Sequence, residues 1–388
     1  MVKHTLIALI TNNDDDVYCF RLELIQRIIK EGYDLLISCP DGPKFDAMEK
    51  EGLKRGKQYI YDDPSIDRRG TNPVSDGRLF IHYYRLLKKY RPAVVLAYTP
   101  KPNVYATLAA NFLHIPVVNN VTGLGSVEKK TGPKKRLIMS LFKIAYNRSA
   151  CIMFQNRANF ALAKEEGWIR KEYRLIPGSG VALNRFPVLE YPDGGNGITG
   201  SVVVFNYIGR ILHDKGIDDY IAAATRVRQR FPKTEFNIIG FIEPSENHYE
   251  KDLKKLGQQG IVIYRGSQVD VRPWIGRSHC TIHPSTYGEG VSNVLLESAA
   301  CARPVITTDN PGCKETVQDR ISGFVYPGGD VDALVNRIET FLTDIPNQAR
   351  IQMGIEGRKK VEQEFNREIV INSYLDVIKQ LLVKGKSV

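Results

Sequence analysis

The sequence predicts an α/β protein of two domains, each built on a parallel β-sheet with helices on both faces. Short apolar runs alternate with amphipathic stretches along all 388 residues, which is typical of parallel sheets covered by helices. A chain of this length exceeds one ordinary core and fits two domains of roughly 150–200 residues each. One turn-rich segment without apolar periodicity, residues 191–197, interrupts the alternation and indicates a linker.

The first half of the chain contains seven short apolar runs that predict buried strands. They are Thr5–Ile10, Asp34–Ser38, Gln58–Tyr61, Ala93–Ala97, Val117–Asn119, Ala150–Phe154 and Arg174–Ile176. Helical patterns lie between them, for example Tyr18–Lys30 and Gly77–Lys89. Pro92 follows the second of these helices and should end it before the next strand.

The second half repeats the same alternation after the linker. Its predicted strands are Ser201–Ile208, Thr234–Ile239, Ile261–Tyr264, Cys280–His283, Pro304–Thr307 and Gly323–Val325. Two helical patterns, Ala349–Phe365 and Glu368–Val383, end the chain. We therefore expect a first domain over residues 1–190, a linker over 191–200 and a second domain over 201–365. We expect the last helix, about 366–388, to pack back on the first domain.

Composition and charge restrict the class of protein. A hydrophobic content of 43% with 25% charged residues is ordinary for a soluble globular protein. No run of about 18 apolar residues predicts a membrane span, and the first residues predict a strand, not a secretory signal. Six scattered cysteines without a CxxC pair indicate a reducing cytoplasm and no disulfide or zinc framework. The net charge of +11 suggests an anionic partner: a nucleotide, a phospholipid surface or a nucleic acid.

The segment from Pro284 to Glu297 carries the strongest functional signal. Two carboxylates, Glu289 and Glu297, stand eight residues apart around a glycine-bracketed turn and a predicted helix start. A helix start presents unpaired N–H groups and the positive end of the helix dipole, which together attract phosphate. Acids beside such a site would repel phosphate and are better suited to hydroxyl groups. The segment therefore predicts a nucleotide-sugar pocket.

A second motif, Gly209 to Gly216, follows the first strand of the second half. It offers two cations, Arg210 and Lys215, in a glycine-bounded turn ahead of a helix. Arginine grips phosphate oxygens with a planar fork, and lysine acts as a mobile point charge. The two side chains could hold a diphosphate and neutralise it as it leaves, as Mg²⁺ does elsewhere. The plainer alternative is a solvated basic turn.

Together the two motifs resemble glycosyltransferase family 4, the retaining enzymes with the GT-B fold. The Glu-x7-Glu pattern is met by Glu289 and Glu297, and the G-R-x4-K-G turn by residues 209–216. Residues 299–306 and 312–315 are similar to a further run of that family. Three segments of the first half, residues 101–103, 107–110 and 122–126, resemble a narrower branch of bacterial transferases that extend undecaprenyl-diphosphate-linked glycans.

The resemblance implies a fold, a set of roles and a lack of cofactors. It implies two Rossmann-like domains facing across a cleft, with no required metal and no cofactor besides the UDP-sugar substrate. Glu289 would bind the donor sugar and stabilise charge at its anomeric centre, and Glu297 would bind the ribose. Arg210 and Lys215 would bind the diphosphate. The remaining substrate-binding residues that it implies are Gly209, Gly290, Val291, Ser292, Gly266 and Gly123.

The first domain departs from the family pattern at two places. A Gly-Gly turn is common after the first strand, but here the turn is Asn12 to Asp16, with three aspartates that would repel an acceptor phosphate. A histidine is common after the fourth or fifth strand, where this chain has residues 119–122, Asn-Asn-Val-Thr. The sequence therefore does not assign a histidine of this domain as a catalytic helper.

Three other features have competing interpretations. The stretch Lys129–Arg148 holds seven basic residues and no acid, with apolar residues at helical spacing. It predicts either a helix lying on anionic lipid or one packed on its own domain with solvated lysines. Asp330 and Asp332 have the form of a metal-binding pair, but a helix N-cap explains them better. His283 is expected to be a packed histidine.

The predicted function is transfer of a hexose or N-acetylhexosamine with retention of configuration. The donor would be a UDP-sugar and the acceptor a glycan, which we expect to be lipid-linked, in bacterial surface polysaccharide or glycoprotein glycan synthesis. The expected location is the cytoplasm, at the inner face of the plasma membrane. A sugar-nucleotide epimerase or hydrolase remains the alternative. Nucleic-acid binding is suggested by charge alone, without interleaved basic and aromatic residues, and we expect none.

Overall fold

The computed structural model describes residues 5–66, 72–123, 131–192 and 202–385. The chain divides into two compact units, each with one parallel sheet. The first comprises Met1–Gly180 with Arg367–Val388, and the second comprises Val181–Asn366. Residues 193–201, which hold most of the expected linker, lie outside the described residues.

The first unit contains a seven-stranded parallel sheet in the order β3-β2-β1-β4-β5-β6-β7. Its strands are β1 (Leu6–Ile10), β2 (Asp34–Ser38), β3 (Ile60–Asp62), β4 (Val94–Tyr98), β5 (Val117–Val121), β6 (Cys151–Phe154) and β7 (Glu172–Leu175). Its helices are α1 (Asp14–Lys30), α2 (Lys44–Lys50), α3 (Pro73–Tyr90), α4 (Pro100–Phe112), α5 (Gly132–Tyr146), α6 (Arg157–Glu165) and α13 (Arg367–Gly385). The seven predicted strands are confirmed, with ends that shift by one or two residues.

Helices cover both faces of this sheet because successive strand residues point to opposite sides. Ile7 and Leu9 of β1 pack in a cluster with α1, α2 and α13, whereas Ala8 and Ile10 pack with α3 and α4. A strand buried on both faces is a continuous apolar run, which explains the pattern in the sequence. The last helix α13 contributes apolar residues at helical spacing, from Val370 to Ile378, to the first of these clusters.

Helix α1 begins earlier than its apolar pattern indicates. The Asn13 side chain caps it by accepting from the Asp16 N–H at 2.8 Å, and Asp14 to Asp16 form its first turn. Acidic residues there favour the positive end of the helix dipole. Asp16 also accepts from Thr11 Oγ1 at 2.8 Å and lies 3.7 Å from the Arg21 guanidinium. The three aspartates of this turn therefore have a structural explanation.

The second unit contains a six-stranded parallel sheet in the order β10-β9-β8-β11-β12-β13. Its strands are β8 (Val203–Ile208), β9 (Thr234–Ile239), β10 (Ile263–Tyr264), β11 (Cys280–His283), β12 (Val305–Thr308) and β13 (Gly323–Tyr326). Its helices are α7 (Ile217–Arg230), α8 (His248–Gln258), α9 (Arg272–Arg277), α10 (Asn293–Ala300), α11 (Val331–Thr343) and α12 (Asn347–Glu364). The six predicted strands are confirmed here as well.

Residues 181–190 pack with the second unit, which therefore starts before the expected boundary at residue 190. The Val181 N–H donates to the Phe365 carbonyl at 2.9 Å, and Phe186 packs against two apolar clusters of this unit. The fully buried Arg303 donates to the carbonyls of Leu189 and Glu190. These contacts hold a segment without regular structure, which apolar periodicity cannot detect.

Arg303 should be essential for the stability of the second unit. Its guanidinium also donates to the carbonyls of Ile275 at 3.2 Å and Gly276 at 2.9 Å. Arg303→Met should lower the free energy of unfolding by about 3 kcal/mol or more, because several buried carbonyls lose their donor. The matched variant Arg277→Met, at an exposed position of α9, should change it by less than about 0.5 kcal/mol. Equal urea midpoints for the two variants would contradict this role.

Candidate functional site

The two motifs meet because β8 and β11 are neighbours in the sheet of the second unit. The chain turns from β8 to β9 on one side and reaches β11 on the other, so the strand order reverses between β8 and β11. Ligands of open α/β sheets bind at such a point, beyond the carboxyl ends of the strands. The Thr286 N–H donates to the Asp214 carbonyl at 3.0 Å. A Cβ at Gly216, whose φ is 75°, would lie 2.0 Å from the Pro284 carbonyl oxygen.

Glu289 is the centre of this site. Its Oε1 accepts from Lys215 Nζ at 2.5 Å and from Ser285 Oγ at 2.9 Å, and it lies 3.1 Å from His283 Nε2. The side chains of Glu289 and Lys215 are 10% and 12% exposed. Burial alone would raise the pKa of Glu289, but attraction to Lys215 and His283 outweighs burial and holds that pKa well below its usual range. Glu289 is therefore an ionised carboxylate inside the protein.

His283 has a polar role in addition to packing. It ends β11 and is buried, as expected, but its Nε2 faces the carboxylate of Glu289. An ionised carboxylate only accepts hydrogen bonds, so the Nε2 atom must carry the proton and donate. Among the described residues no hydrogen-bond partner faces its Nδ1. His283, at the end of β11, thus helps to fix the orientation of the Glu289 side chain.

The ring of Tyr287 brings the two cations of the other motif together. The Lys215 ammonium lies 4.9 Å and the Arg210 guanidinium 5.4 Å from the ring centroid, within the range of cation–π attraction. Arg210 also lies 3.5 Å from Glu243. Burial would lower the pKa of Arg210, but Tyr287 and Glu243 outweigh it and raise that pKa. Arg210 therefore keeps its charge near Glu289.

The loop before α10 is braced from a neighbouring turn. Gly312 donates to Glu315 Oε2 at 2.7 Å, and its carbonyl accepts from the Ser292 N–H at 2.8 Å. A Cβ at Gly312 would lie 2.6 Å from the Gly290 carbonyl oxygen, so this approach requires glycine. The Ser292 amide is expected to cap a diphosphate, but its N–H instead donates to the Gly312 carbonyl, and this bond ties the loop to the neighbouring turn. Val291 is buried and anchors the loop in an apolar cluster.

Like α7, which starts just after Gly216, helix α10 starts at this site and presents helix-terminal N–H groups. The helix begins at Asn293, with Ser292 as its extended N-cap. Glu297 lies on this helix and is partly buried. The Glu-x7-Glu spacing thus places one acid in the loop and the other on the helix, with the helix start between them.

Two predicted glycines lie at the ends of the strands on either side of β9. Gly209 follows β8 and Gly266 follows β10, with Gly240 after β9 between them. The Gly240 N–H donates to the Gly266 carbonyl at 2.9 Å, and a Cβ at Gly240 would lie 1.8 Å from the Gly209 carbonyl oxygen. Arg265 donates to Asn237 Oδ1 at 2.7 Å and is engaged within the unit. The close approach of these strand ends therefore requires glycine at residue 240, whereas Gly209 and Gly266 have open space at the Cβ position and are distinguished by φ values of 152° and 70°.

Gly123 lies in the first unit, whereas the other predicted site residues lie in the second. It follows β5 and has a φ of 101°, a conformation that suits glycine. Leu124 to Ser126, which complete its motif, fall outside the described residues.

One cluster has the composition of a metal site. Ligand atoms of His283, Glu289 and Cys313 lie within 4.8 Å of one another. However, Lys215 already bonds to the Glu289 carboxylate, and burial raises the pKa of the Cys313 thiol well above its usual range. A cation there would compete with the ammonium and need a thiolate that burial disfavours.

The pair Asp330 and Asp332 is explained by helix capping, as predicted. Asp330 accepts from the Ala333 N–H at 2.9 Å at the start of α11, and Asp332 pairs with Arg226 at 2.6 Å. These acids stabilise a helix start.

Helix α5, which carries most of the basic stretch, has features of both predicted alternatives. Phe142, Ala145 and Tyr146 are buried in a cluster of the first unit. Leu137 and Ile144, however, are 63% and 42% exposed. Within the described part of the chain no helix is long and apolar enough to span a bilayer.

Two models of known families match the chain. The model described as "Glycosyl transferases group 1" matches residues 195–360, and the model described as "Glycosyl transferase 4-like" matches residues 7–156. The two matches fall on the second and the first unit.

Curated relatives extend over most of the chain. A capsular polysaccharide biosynthesis glycosyltransferase of Staphylococcus aureus is 27% identical over 78% of this chain and 80% of its own length. An N,N'-diacetylbacillosaminyl-diphospho-undecaprenol alpha-1,3-N-acetylgalactosaminyltransferase of Campylobacter jejuni is 22% identical over 97% and 99%. A UDP-Gal:alpha-D-GlcNAc-diphosphoundecaprenol alpha-1,3-galactosyltransferase of Escherichia coli is 24% identical over 93% and 92%.

Solved structures share the fold. A sucrose-phosphate synthase of Thermosynechococcus elongatus superposes with a TM-score of 0.79 at 17% identity, over 98% of this chain and 100% of the other. The Anabaena protein HepE, solved with UDP and glucose, superposes with a TM-score of 0.74 at 16% identity, over 99% and 100%. The expected fold of two Rossmann-like domains is thereby confirmed. None of the proteins named here is an epimerase or a hydrolase, and the chain belongs to the family of two-domain glycosyltransferases that the two family models describe.

Proposed function

We propose that the protein transfers a hexose or N-acetylhexosamine from a UDP-sugar to a lipid-linked glycan acceptor, with retention of configuration, in bacterial surface polysaccharide or glycoprotein glycan synthesis. The single observation that carries this proposal is the buried, ionised Glu289 held by Lys215, Ser285 and His283. An acid fixed in this way beside two cations suits a sugar whose leaving group is a diphosphate. HepE, whose structure contains UDP and glucose, supports uracil as the base of the donor nucleotide.

The cations would bind and neutralise the diphosphate. Lysine has three donors, and one of those of Lys215 goes to Glu289, so the others are available to phosphate oxygens. Arg210 would add a planar fork, and Tyr287 keeps the two side chains on one side of the site. The first N–H groups of α10 would bind a further oxygen. Charge that develops on the leaving group is then stabilised without a metal or another cofactor.

The two acids would bind the two sugars of the donor. Glu289, rigid and negative, would accept from hydroxyls of the transferred sugar and stabilise positive charge at the anomeric carbon. Glu297 would accept from ribose hydroxyls, as its place on α10 beyond the phosphate-binding amides permits. The transferred sugar and the ribose lie on opposite sides of a diphosphate, as these acids lie on opposite sides of the helix start.

The acceptor is proposed to bind the first unit. The relatives from Campylobacter jejuni and Escherichia coli are named for undecaprenol-diphosphate-linked acceptors, which supports a lipid-linked acceptor here. In the first unit the strand order reverses between β1 and β4. Thr99 follows β4 with a φ of 69°, which is strained for a β-branched residue. Backbone strain at a strand end often accompanies a binding site.

A lipid-linked acceptor would require contact with a membrane surface, and we assign this contact to α5. Its exposed Leu137 and Ile144 stand seven residues apart on one side of the helix. The exposed cations Arg136 and Lys143 adjoin them, and the helix contains no acid. Apolar residues rimmed by cations favour the interface of an anionic bilayer. The protein would thus act in the cytoplasm, at the inner face of the plasma membrane.

The experiment that tests the proposed reaction follows UDP release. The protein is incubated with UDP-N-acetylhexosamines and UDP-hexoses, each with and without an undecaprenyl-diphosphate-linked sugar, and products are identified by mass spectrometry. UDP and an extended lipid should form only when donor and acceptor are both present. Interconversion of UDP-sugars or release of free sugar without acceptor would instead indicate an epimerase or a hydrolase.

Loss of either partner of the central ion pair should abolish most turnover. Glu289→Gln and Lys215→Ala should each lower kcat/KM by about 10²-fold or more, because each removes a charge that acts on the transition state. Glu250→Gln, on an exposed turn of α8, is the matched control and should retain normal turnover. Near-normal rates in folded Glu289→Gln or Lys215→Ala protein would remove these roles.

The rate advantage of Glu289 over glutamine should not depend on pH in the working range. Because the pKa of Glu289 is held well below that of an ordinary carboxyl group, the carboxylate protonates only in stronger acid. The ratio of wild-type to Glu289→Gln rates should therefore be equal at about pH 5.5 and about pH 8. A ratio that falls toward one at the lower pH would show that the carboxyl group titrates there.

Membrane contact through α5 is tested by flotation with vesicles. Leu137→Gln/Ile144→Gln should reduce binding to phosphatidylglycerol-containing vesicles about 10-fold or more, because each lost side chain contributes apolar burial. The control is Val74→Gln/Val188→Gln, which also removes two exposed apolar side chains. Equal binding by both double variants and the wild type would exclude α5 as the contact.

A further inference from the structure

The first unit contains a concave site that the proposed reaction does not use. A cavity of about 500 Å³ lies between the edge strand β3 and helix α3. Three cations line it, Arg78, Arg85 and Lys89, and Tyr61 and Tyr90 form part of its walls. A volume of this size is in the range of small-molecule sites.

Helical geometry explains why the cations share one cavity. Arg78, His82, Arg85 and Lys89 are separated by four, three and four residues, so they form a single stripe on α3. The stripe spans roughly 16 Å at 1.5 Å per residue. The three cationic side chains are exposed, and none forms an ion pair with an acid among residues 5–66, 72–123 and 131–192.

Among the residues that the structure describes, one acid lines the cavity, and it is already engaged. Asp62, at the end of β3, accepts from Ser38 Oγ at 2.6 Å and lies 2.8 Å from His82 Nε2. That hydrogen bond raises the pKa of His82, so the histidine carries more positive charge near neutral pH than an isolated one. The carboxylate of Asp62 is therefore paired with His82 within the protein. Asp63 also attracts His82, and the stripe on α3 adds three positive charges to the cavity.

The surroundings strengthen the field of these charges. Asp76 is the single acid of α3, and it is bonded to Lys101 at 2.7 Å and to Tyr105 at 2.9 Å. The neighbouring helix α4 contains no acid at all. A cavity lined by one sign of charge focuses the potential and attracts an ion of the opposite sign.

We propose that this cavity is a second anion site, which binds a ligand bearing phosphate groups through Arg78, Arg85 and Lys89. Arginine and lysine side chains are the usual partners of phosphate, and two arginines supply planar donor forks. A ligand with a single carboxylate could contact only part of a stripe this long, so a ligand with phosphate groups fits it better. The site is separate in its residues from Arg210 and Lys215 of the second unit. Its ligand is either a soluble phosphorylated molecule or the headgroup of a phospholipid.

The test uses pyrophosphate as the probe and removes the other anion site first. In full-length protein that carries Arg210→Gln/Lys215→Gln, titration calorimetry at constant ionic strength should detect pyrophosphate binding. Adding Arg85→Gln/Lys89→Gln should weaken binding about 10-fold or more, because two charged contacts are lost. Adding Lys50→Gln/Lys88→Gln instead removes the same charge from exposed positions of the same unit that do not line the cavity, and should leave affinity within about 2-fold.

The source of the phosphate is distinguished with vesicles. Flotation with phosphatidylcholine vesicles, with and without phosphatidylglycerol, is measured for the same two double variants. A headgroup ligand predicts that Arg85→Gln/Lys89→Gln reduces binding to the anionic vesicles far more than Lys50→Gln/Lys88→Gln does. A soluble ligand predicts discrimination with pyrophosphate but not with vesicles. The proposal would be overturned if both double variants lost the same amount of binding in both assays. It would also be overturned if pyrophosphate did not bind and the two double variants bound anionic vesicles equally.

Discussion

The hydrogen-bonded ion pair between Lys215 and Glu289 depends on the order of strands in one parallel sheet. The two residues are distant in sequence, but β8 and β11 are neighbours and their loops leave the same edge. Gly216 allows this approach, since its place against the Pro284 carbonyl leaves no room for a side chain. The site of the second unit is thus a consequence of topology, and Gly216 provides the space for the close approach of the two motifs.

A buried ion pair is stable only when further hydrogen bonds offset the loss of hydration. Ser285 and His283 provide these bonds to Glu289, and the ring of Tyr287 contacts Lys215 on another side. Such a pair adds little to stability in comparison with apolar residues of the same volume. It does fix a negative charge in one orientation beside two cations. An enzyme that separates a sugar from a diphosphate needs this rigid arrangement of opposite charges.

The sequence predicts the strands of both units well because buried parallel strands are continuous apolar runs. It also predicts Arg210, Lys215, Glu289 and Glu297 as site residues, because their spacing around glycine-rich turns is distinctive, and the structure brings the first three together. It does not reveal contacts that depend on tertiary packing. The hydrogen bond from His283 and the cation–π contacts of Tyr287 cannot be detected from sequence periodicity, although both residues lie within or beside the motif. The Ser292 N–H donates to the carbonyl of Gly312, which lies in a separate turn. The segment 181–190 joins the second unit through Arg303 and other scattered contacts.

A crystal structure with UDP soaked into the protein tests the central claim most directly. The account predicts diphosphate oxygens within hydrogen-bond distance of Lys215 Nζ and the Arg210 guanidinium, with a phosphate facing the start of α10 and the ribose hydroxyls donating to Glu297. Glu289 should remain in place beside the position of the transferred sugar. A nucleotide bound elsewhere, or a Glu297 side chain that turns away from the ribose, would contradict the account.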